Sequence, residues 1–138
     1  MFREDYIHRL IRQLADALAK LAGLRKAGDF EAALDGCART WDDLLDVPRE
    51  LVDVTDTPTL AGMLREPDKI RVAAKILVEE GHALKGKGDP LTASVRYRKA
   101  LELFLEARAL TPSPDDDAAI LELGRDVPSS TLDPRYRS

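Results

Sequence analysis

Glu79 and His82 stand one helical turn apart, and a carboxylate and an imidazole at that spacing make half of a di-iron bundle site. The full site needs a second such pair. The other histidine is His8, four residues after Glu4, so a mixed site would draw on both of these pairs. Ligand number is the weak point of that reading, and polar residues exposed near helix ends are the simpler expectation. Neither a metal nor a cofactor is expected, and Glu79 and His82 are the nearest approach to a metal pair. Overlapping them, Gly81-His82-Ala83-Leu84-Lys85-Gly86-Lys87-Gly88 nearly spells a phosphate-binding loop. That motif ends in Ser or Thr, which ligates magnesium, and it opens a helix after a strand. Here the last position is Gly88 and the segment closes a helix.

Other catalytic arrangements fail on residue type. His8 and His82 are the only histidines, and no serine has either as a neighbouring base. Glu79 and Glu80 read as a solvated edge rather than an acid–base pair. Arg96, Arg98 and Lys99 surround Tyr97, but Arg98 precedes Glu102 by the spacing of an ordinary helical ion pair. Tyr97 points inward by phase, as does Trp41. Cys37 is the single cysteine, which excludes an internal disulfide, and it falls on an apolar helix face as a small buried hydrophobe. No catalytic residue emerges, and the chain is not expected to be an enzyme.

The elements that would hold these residues are all helical. Ile7, Leu10, Ile11, Leu14, Leu18, Leu21 and Leu24 recur at three- and four-residue steps, predicting a helix over 4–26. Gly28 suits the left-handed position after that helix, and Asp29 caps a second helix over 30–45. Gly88-Asp89 repeats the same turn between helices over 67–85 and 90–110. Gly81, Ala93, Tyr97 and Ala100 then share the face along which those two helices meet, with small residues permitting close approach. The helix over 67–85 is apolar around more than half its circumference, so it is expected at the centre. Between the hairpins, at 46–66, Pro48 and Pro58 break the chain into a helical turn over 49–54 and a short helix through Leu64, with Thr57 as its cap. Ser113 is expected to cap a last helix over 114–123 that Gly124 ends, and 125–138 reads as a polar tail, either mobile or docked. No stretch alternates as a strand.

With 138 residues, 44% of them hydrophobic and 33% charged, the chain has the composition of one globular helical domain, here residues 1–124. Its net charge of −4 argues against nucleic-acid binding. The charged opening Arg3-Glu4-Asp5 and the lack of a long apolar run argue against a signal peptide and a membrane span. A cytoplasmic protein is expected.

Leu77, Gly81, Leu84, Gly88-Asp89, Ala93, Tyr97 and Ala100 together resemble one tetratricopeptide unit, spanning about Ala74 to Leu105. Glu80 departs from it where an apolar residue is usual, and Leu105 where proline is common. The first hairpin matches at Gly28-Asp29-Phe30 and Ala33, while Cys37 and Thr40 replace an aromatic residue and an alanine. The whole chain is also similar to a family of small bacterial helical proteins. Asp5-Tyr6-Ile7, Arg9 and Ile11 carry that likeness, with Glu79-Glu80-Gly81 leading to Tyr97, Ala100 and Leu101. Both resemblances imply an all-α fold of two antiparallel hairpins, 4–45 and 67–110, in a right-handed α-α superhelix. The expected function is non-enzymatic protein–protein interaction, as an adaptor or chaperone-like protein. A protein or peptide partner would lie in the groove between the helices over 4–26 and 67–85. The alternatives are a structural homodimer formed through Ile7, Ile11, Leu14, Leu18 and Leu21, and a metal-binding bundle using Glu79 and His82.

Overall fold

The computed structural model describes residues 2–137, and the side chains from Arg3 onward; Met1 and Ser138, the outer limits of the predicted domain and tail, lie outside the described residues. Six α-helices follow in order: α1 (Phe2–Lys26), α2 (Phe30–Leu44), α3 (Thr57–Leu64), α4 (Pro67–Lys87), α5 (Pro90–Leu110) and α6 (Pro114–Asp126). Short 3-10 segments lie at Arg49–Val54, Ser129–Thr131 and Pro134–Tyr136. Among the described residues there is no strand. α1 pairs antiparallel with α2, and α4 with α5.

The two hairpin turns are built alike. Gly28 takes φ +84° and Gly88 φ +95°, values open to glycine without a Cβ clash. The Asp29 amide donates to Leu24 O and the Asp89 amide to Leu84 O, both at 2.9 Å. Gly28 and Gly88 donate to Arg25 O and Lys85 O at 3.0 and 3.1 Å. These paired bonds satisfy carbonyls that the helix end would otherwise leave open. Each aspartate then caps the next helix, accepting from Ala32 N at 3.3 Å and from Thr92 N at 3.2 Å.

α4 occupies the centre, in contact with α1, α2, α3 and α5. Ile70, Ala73, Ala74, Ile76, Leu77 and Ala83 are fully buried around it. Full burial of one such Ile or Leu is worth about 1.5–3 kcal/mol, so this helix carries much of the core energy. Its contact with α5 is close at Gly81, where a Cβ would stand 2.4 Å from Tyr97 Cε1. Ala93 and Ala100 are buried on the same face of α5. Trp41 anchors α2 in the core, with its indole N–H donating to Val47 O at 2.6 Å.

α1 begins two residues before 4, α2 ends one residue before 45, and α4 continues through Gly86 to Lys87; the ends of α3 and α6 differ in their chemistry. Asp56, not Thr57, caps α3, accepting from Thr59 N at 2.8 Å, because the Thr57 hydroxyl is committed to Glu102 at 2.6 Å. Ser113 precedes α6, but it contributes its backbone carbonyl, which accepts from Asp116 N at 3.0 Å, and no side-chain cap. α6 also runs through Gly124 to Asp126, and burial of Leu123 and Val127 on either side offsets the interior glycine. The segment expected to be a tail is docked. Val127 and Leu132 are buried, the Asp133 amide donates to Glu102 at 3.1 Å, and the Tyr136 hydroxyl donates to Glu106 at 2.6 Å. No helix of the described residues is long and apolar enough to cross a membrane.

A candidate docking groove and the ion pairs behind it

α1 and α4 run in the same direction. Arg3 meets Glu66 at 3.7 Å and Lys69 lies 5.5 Å from the Tyr6 ring at one end, while Arg25 meets Glu79 at 3.1 Å at the other. α6 follows the same course: Asp116 pairs with Arg71 near the start of α4, and Asp126 lies near His82 at its end. The buried carboxylate of Asp116 accepts from Arg71 Nε at 2.9 Å on both oxygens, and the same guanidinium bonds Thr111 O. That contact fixes the first turn of α6 over α4.

Between α1 and α6 lies a groove floored by α4 and by Phe104 of α5. It consists of two adjoining hollows of about 330 and 270 Å³ that share Leu18, Lys75 and Phe104. The α1 wall presents Ile11, Ala15, Leu18 and Ala22; the α6 wall presents Asp115, Ala119, Glu122 and Asp126. Both sets step by four, three and four residues, which is one helical stripe repeated on two parallel helices. Such a stripe is about 17 Å long at the rise of an α-helix. The expected groove between α1 and α4 is therefore displaced: those helices touch, and α4 is the floor.

The proposed dimer stripe is divided by the same geometry. Leu14 and Leu21 are buried inside the chain, where Leu21 packs against the position of Gly36 in α2. Ile11 remains 46% exposed, Leu18 lines the groove, and Ile7 is half-buried. A continuous face of all five residues is not available, because α2 and α4 cover part of it.

Glu79 and Glu80 are not a solvated edge. Both are buried, and arginines distant in sequence neutralise them. Glu79 accepts from Arg25 Nε at 3.1 Å. Glu80 accepts from Arg49 Nε at 2.8 Å and Nη2 at 2.6 Å, and Arg96 Nε lies 3.2 Å from it. Asp53 completes the cluster beside Arg49 and Arg96. Burial opposes the Arg49 charge, but the Glu80 hydrogen bonds prevail and raise its pKa. The same surroundings push the Cys37 thiol up to about 12, through burial first and then the charges of Glu80 and Glu79. A thiol in that condition is inert.

Glu79 thus pairs with Arg25, and His82 has a different partner. Its Nδ1 lies 2.7 Å from the Tyr97 hydroxyl at the edge of the groove. The ring is exposed in part, yet its loss of solvent against the pocket lowers its pKa, and burial raises that of Tyr97. His8 belongs to the opposite end of α1, beside Asp5 and Arg12, so the two histidines do not converge. Among the described residues no three His, Cys, Asp or Glu side chains are grouped to hold a metal ion. The Arg96–Lys99 patch is also taken up internally: Arg96 pairs with Asp53, and Lys99 donates to Thr55 O. Glu102 binds Thr57 and Asp133 N instead of pairing with Arg98.

The spacing of the α6 wall is present in the sequence, but Asp126 lies beyond the local stop signal of Gly124, so nothing local joins Asp115, Ala119, Glu122 and Asp126 into one stripe. The Arg71–Asp116 pair left no local signal, since its members come from separate helices. Comparison with family models, with curated proteins and with solved structures finds no significant match.

Proposed function

We propose that the protein is a non-enzymatic protein–protein interaction module, adaptor or chaperone-like in kind, that receives a segment of its partner between α1 and α6. The observation that carries this reading is the groove itself: apolar along the α1 wall and at Val72, Val78 and Phe104 of the floor, edged with charge, and long enough for about three helical turns. Its shape fits macromolecular docking, and Glu79 and His82 at its edge are engaged by Arg25 and Tyr97.

The finer architecture belongs to the same proposal. α1 packs on α2, α2 on α4, α4 on α5 and α5 on α6, in sequence along the chain. With α1, α4 and α6 parallel, this order supports a tetratricopeptide-like right-handed stack, in which those three helices form the inner layer. α6 then covers the end face that two hairpins alone would leave open.

The test is selection of random peptides displayed on phage against the immobilised protein, followed by binding to Ala22→Trp and Ala119→Trp. These substitutions fill the groove from opposite walls. Enriched peptides that lose at least about tenfold in affinity on both variants, with melting temperatures retained, support the reading. Absence of enrichment, or peptides that bind both variants as well as the parent, refutes it.

A further inference from the structure

The charge and hydrogen-bonding capacity of the groove define its occupant further. The α1 wall is apolar throughout, from Ile11 to Ala22. The α6 wall is apolar at Ala119 and at the buried Leu123 beneath it, and its exposed rim carries carboxylates at Asp115, Glu122 and Asp126. All three are exposed, and among the described residues none of them has an ion-pair partner. Their neighbours do not share this property: Asp116 is held by Arg71, and Asp117 by Arg108 at 3.3 Å. On the floor, Lys75 is the corresponding cation without an ion-pair partner among the described residues. The groove is therefore asymmetric across its width, greasy on the α1 side and anionic on the α6 side.

The same residues select the backbone form of the occupant. An extended peptide leaves its amides and carbonyls unpaired unless a sheet edge or amide side chains meet them. The walls here are helices, whose own backbone groups are internally bonded; the chain contains no asparagine, and its single glutamine, Gln13, does not line the groove. A helix brings its backbone already satisfied. It also matches the walls in period, because side chains at steps of four and three form one stripe on any α-helix.

We propose that the groove takes an amphipathic helix of a partner protein that carries Lys or Arg along one edge. Those residues recur at steps of seven and four, or four and seven, to meet Asp115, Glu122 and Asp126, beside an apolar face turned to Leu18, Ala22 and Phe104. This rests on the groove reading above and adds the chemistry of the occupant. The rim charges set orientation and specificity, while the apolar face supplies most of the affinity. Because the carboxylates are exposed, salt weakens their share.

Four labelled peptides of equal length test it by fluorescence anisotropy. The first is a Leu-faced helix with Arg at the three matching positions. The second has Glu there, the third has the same three Arg at mismatched spacing, and the fourth is the first with a central Pro. The first is expected to bind about tenfold or more tighter than the others at low salt, and less so at high salt. The Asp115→Lys, Glu122→Lys, Asp126→Lys triple variant, altered only at exposed positions, is expected to prefer the Glu peptide. Equal binding of the first and third peptides, undiminished binding of the Pro peptide, or an unchanged preference in the triple variant overturns the proposal. Failure of all four peptides also overturns it. The groove reading fails separately, when library-selected peptides bind Ala22→Trp and Ala119→Trp undiminished.

Discussion

Tyr97 lies across Gly81 so closely that no side chain fits between α4 and α5: a Cβ at Gly81 would meet Cε1 at 2.4 Å, Cδ1 at 2.8 Å and Cζ at 2.9 Å. The phenol cannot swing aside freely, because it is buried and bonded to His82. Ala is the better helix former by about 1 kcal/mol, yet overpacking costs about 1–3 kcal/mol. Gly81→Ala should therefore lower the melting temperature, and Gly81→Ala in a Tyr97→Leu background should lower it less. A melting temperature raised by Gly81→Ala alone would show that the helices are not in this contact. Ala100→Trp, on the same interface, should destabilise by at least a similar amount.

Glu80 holds two arginines whose side chains are only 12% and 16% exposed. Glu80→Gln removes the charge and leaves both cations with Asp53 alone, at an expected cost of about 3 kcal/mol in urea unfolding. The surface pair Glu31–Lys87 is the control. It spans 2.6 Å, but its side chains are 71% and 45% exposed, and Glu31→Gln should cost less than about 1 kcal/mol. Equal effects would mean that the Glu80 cluster is solvated.

The terminal segment depends on Glu102, which joins Thr57 and the Asp133 amide through its two oxygens. Glu102→Leu should release that segment while α4 and α5 stay folded. Arg137, which donates to Leu132 O and Ser130 O, then becomes a faster site of tryptic cleavage. Unaltered cleavage kinetics would show that the apolar contacts of Val127 and Leu132 and the Tyr136–Glu106 bond hold the segment without Glu102.

Partial burial of His82 predicts a pH dependence of the fold. Its pKa is lowered from 6.5 in the folded chain, with burial as the main cause and Arg25 adding to it. The unfolded chain then binds a proton more readily, so this contribution is intact above pH 6.5 and declines as pH falls below it. Proton NMR titration of the His82 ring should give a midpoint below 6.5, and His82→Gln should flatten the loss of stability in that range. A midpoint above 6.5 would indicate that Glu79 and the α6 carboxylates outweigh burial.

Local chemistry made the two turns legible. Gly28-Asp29 and Gly88-Asp89 carry their conformation in the residues themselves, and the hairpins follow. The same holds for α4, whose apolar circumference announced a central helix. What required the folded chain were pairings between distant segments. Glu79 and Glu80 are indistinguishable from surface carboxylates until Arg25, Arg49 and Arg96 arrive from three other segments. The Leu14 and Leu21 stripe shows that α1 buries a face, but not that α2 and α4, rather than a second copy, cover it. Gly124 reads locally as a helix stop, and only packing of Leu123 and Val127 carries α6 past it to complete the groove wall.

NMR chemical-shift mapping on the isotope-labelled protein, with a library-selected peptide added stepwise, is the most direct measurement of the groove. The expected perturbations concentrate on Ala15, Leu18, Ala22, Val78, Ala119 and Glu122, on both walls and the floor at once. Perturbations confined to the exposed side of α5, at Leu91 and Val95, with the α1 and α6 signals unmoved, would contradict docking between those helices.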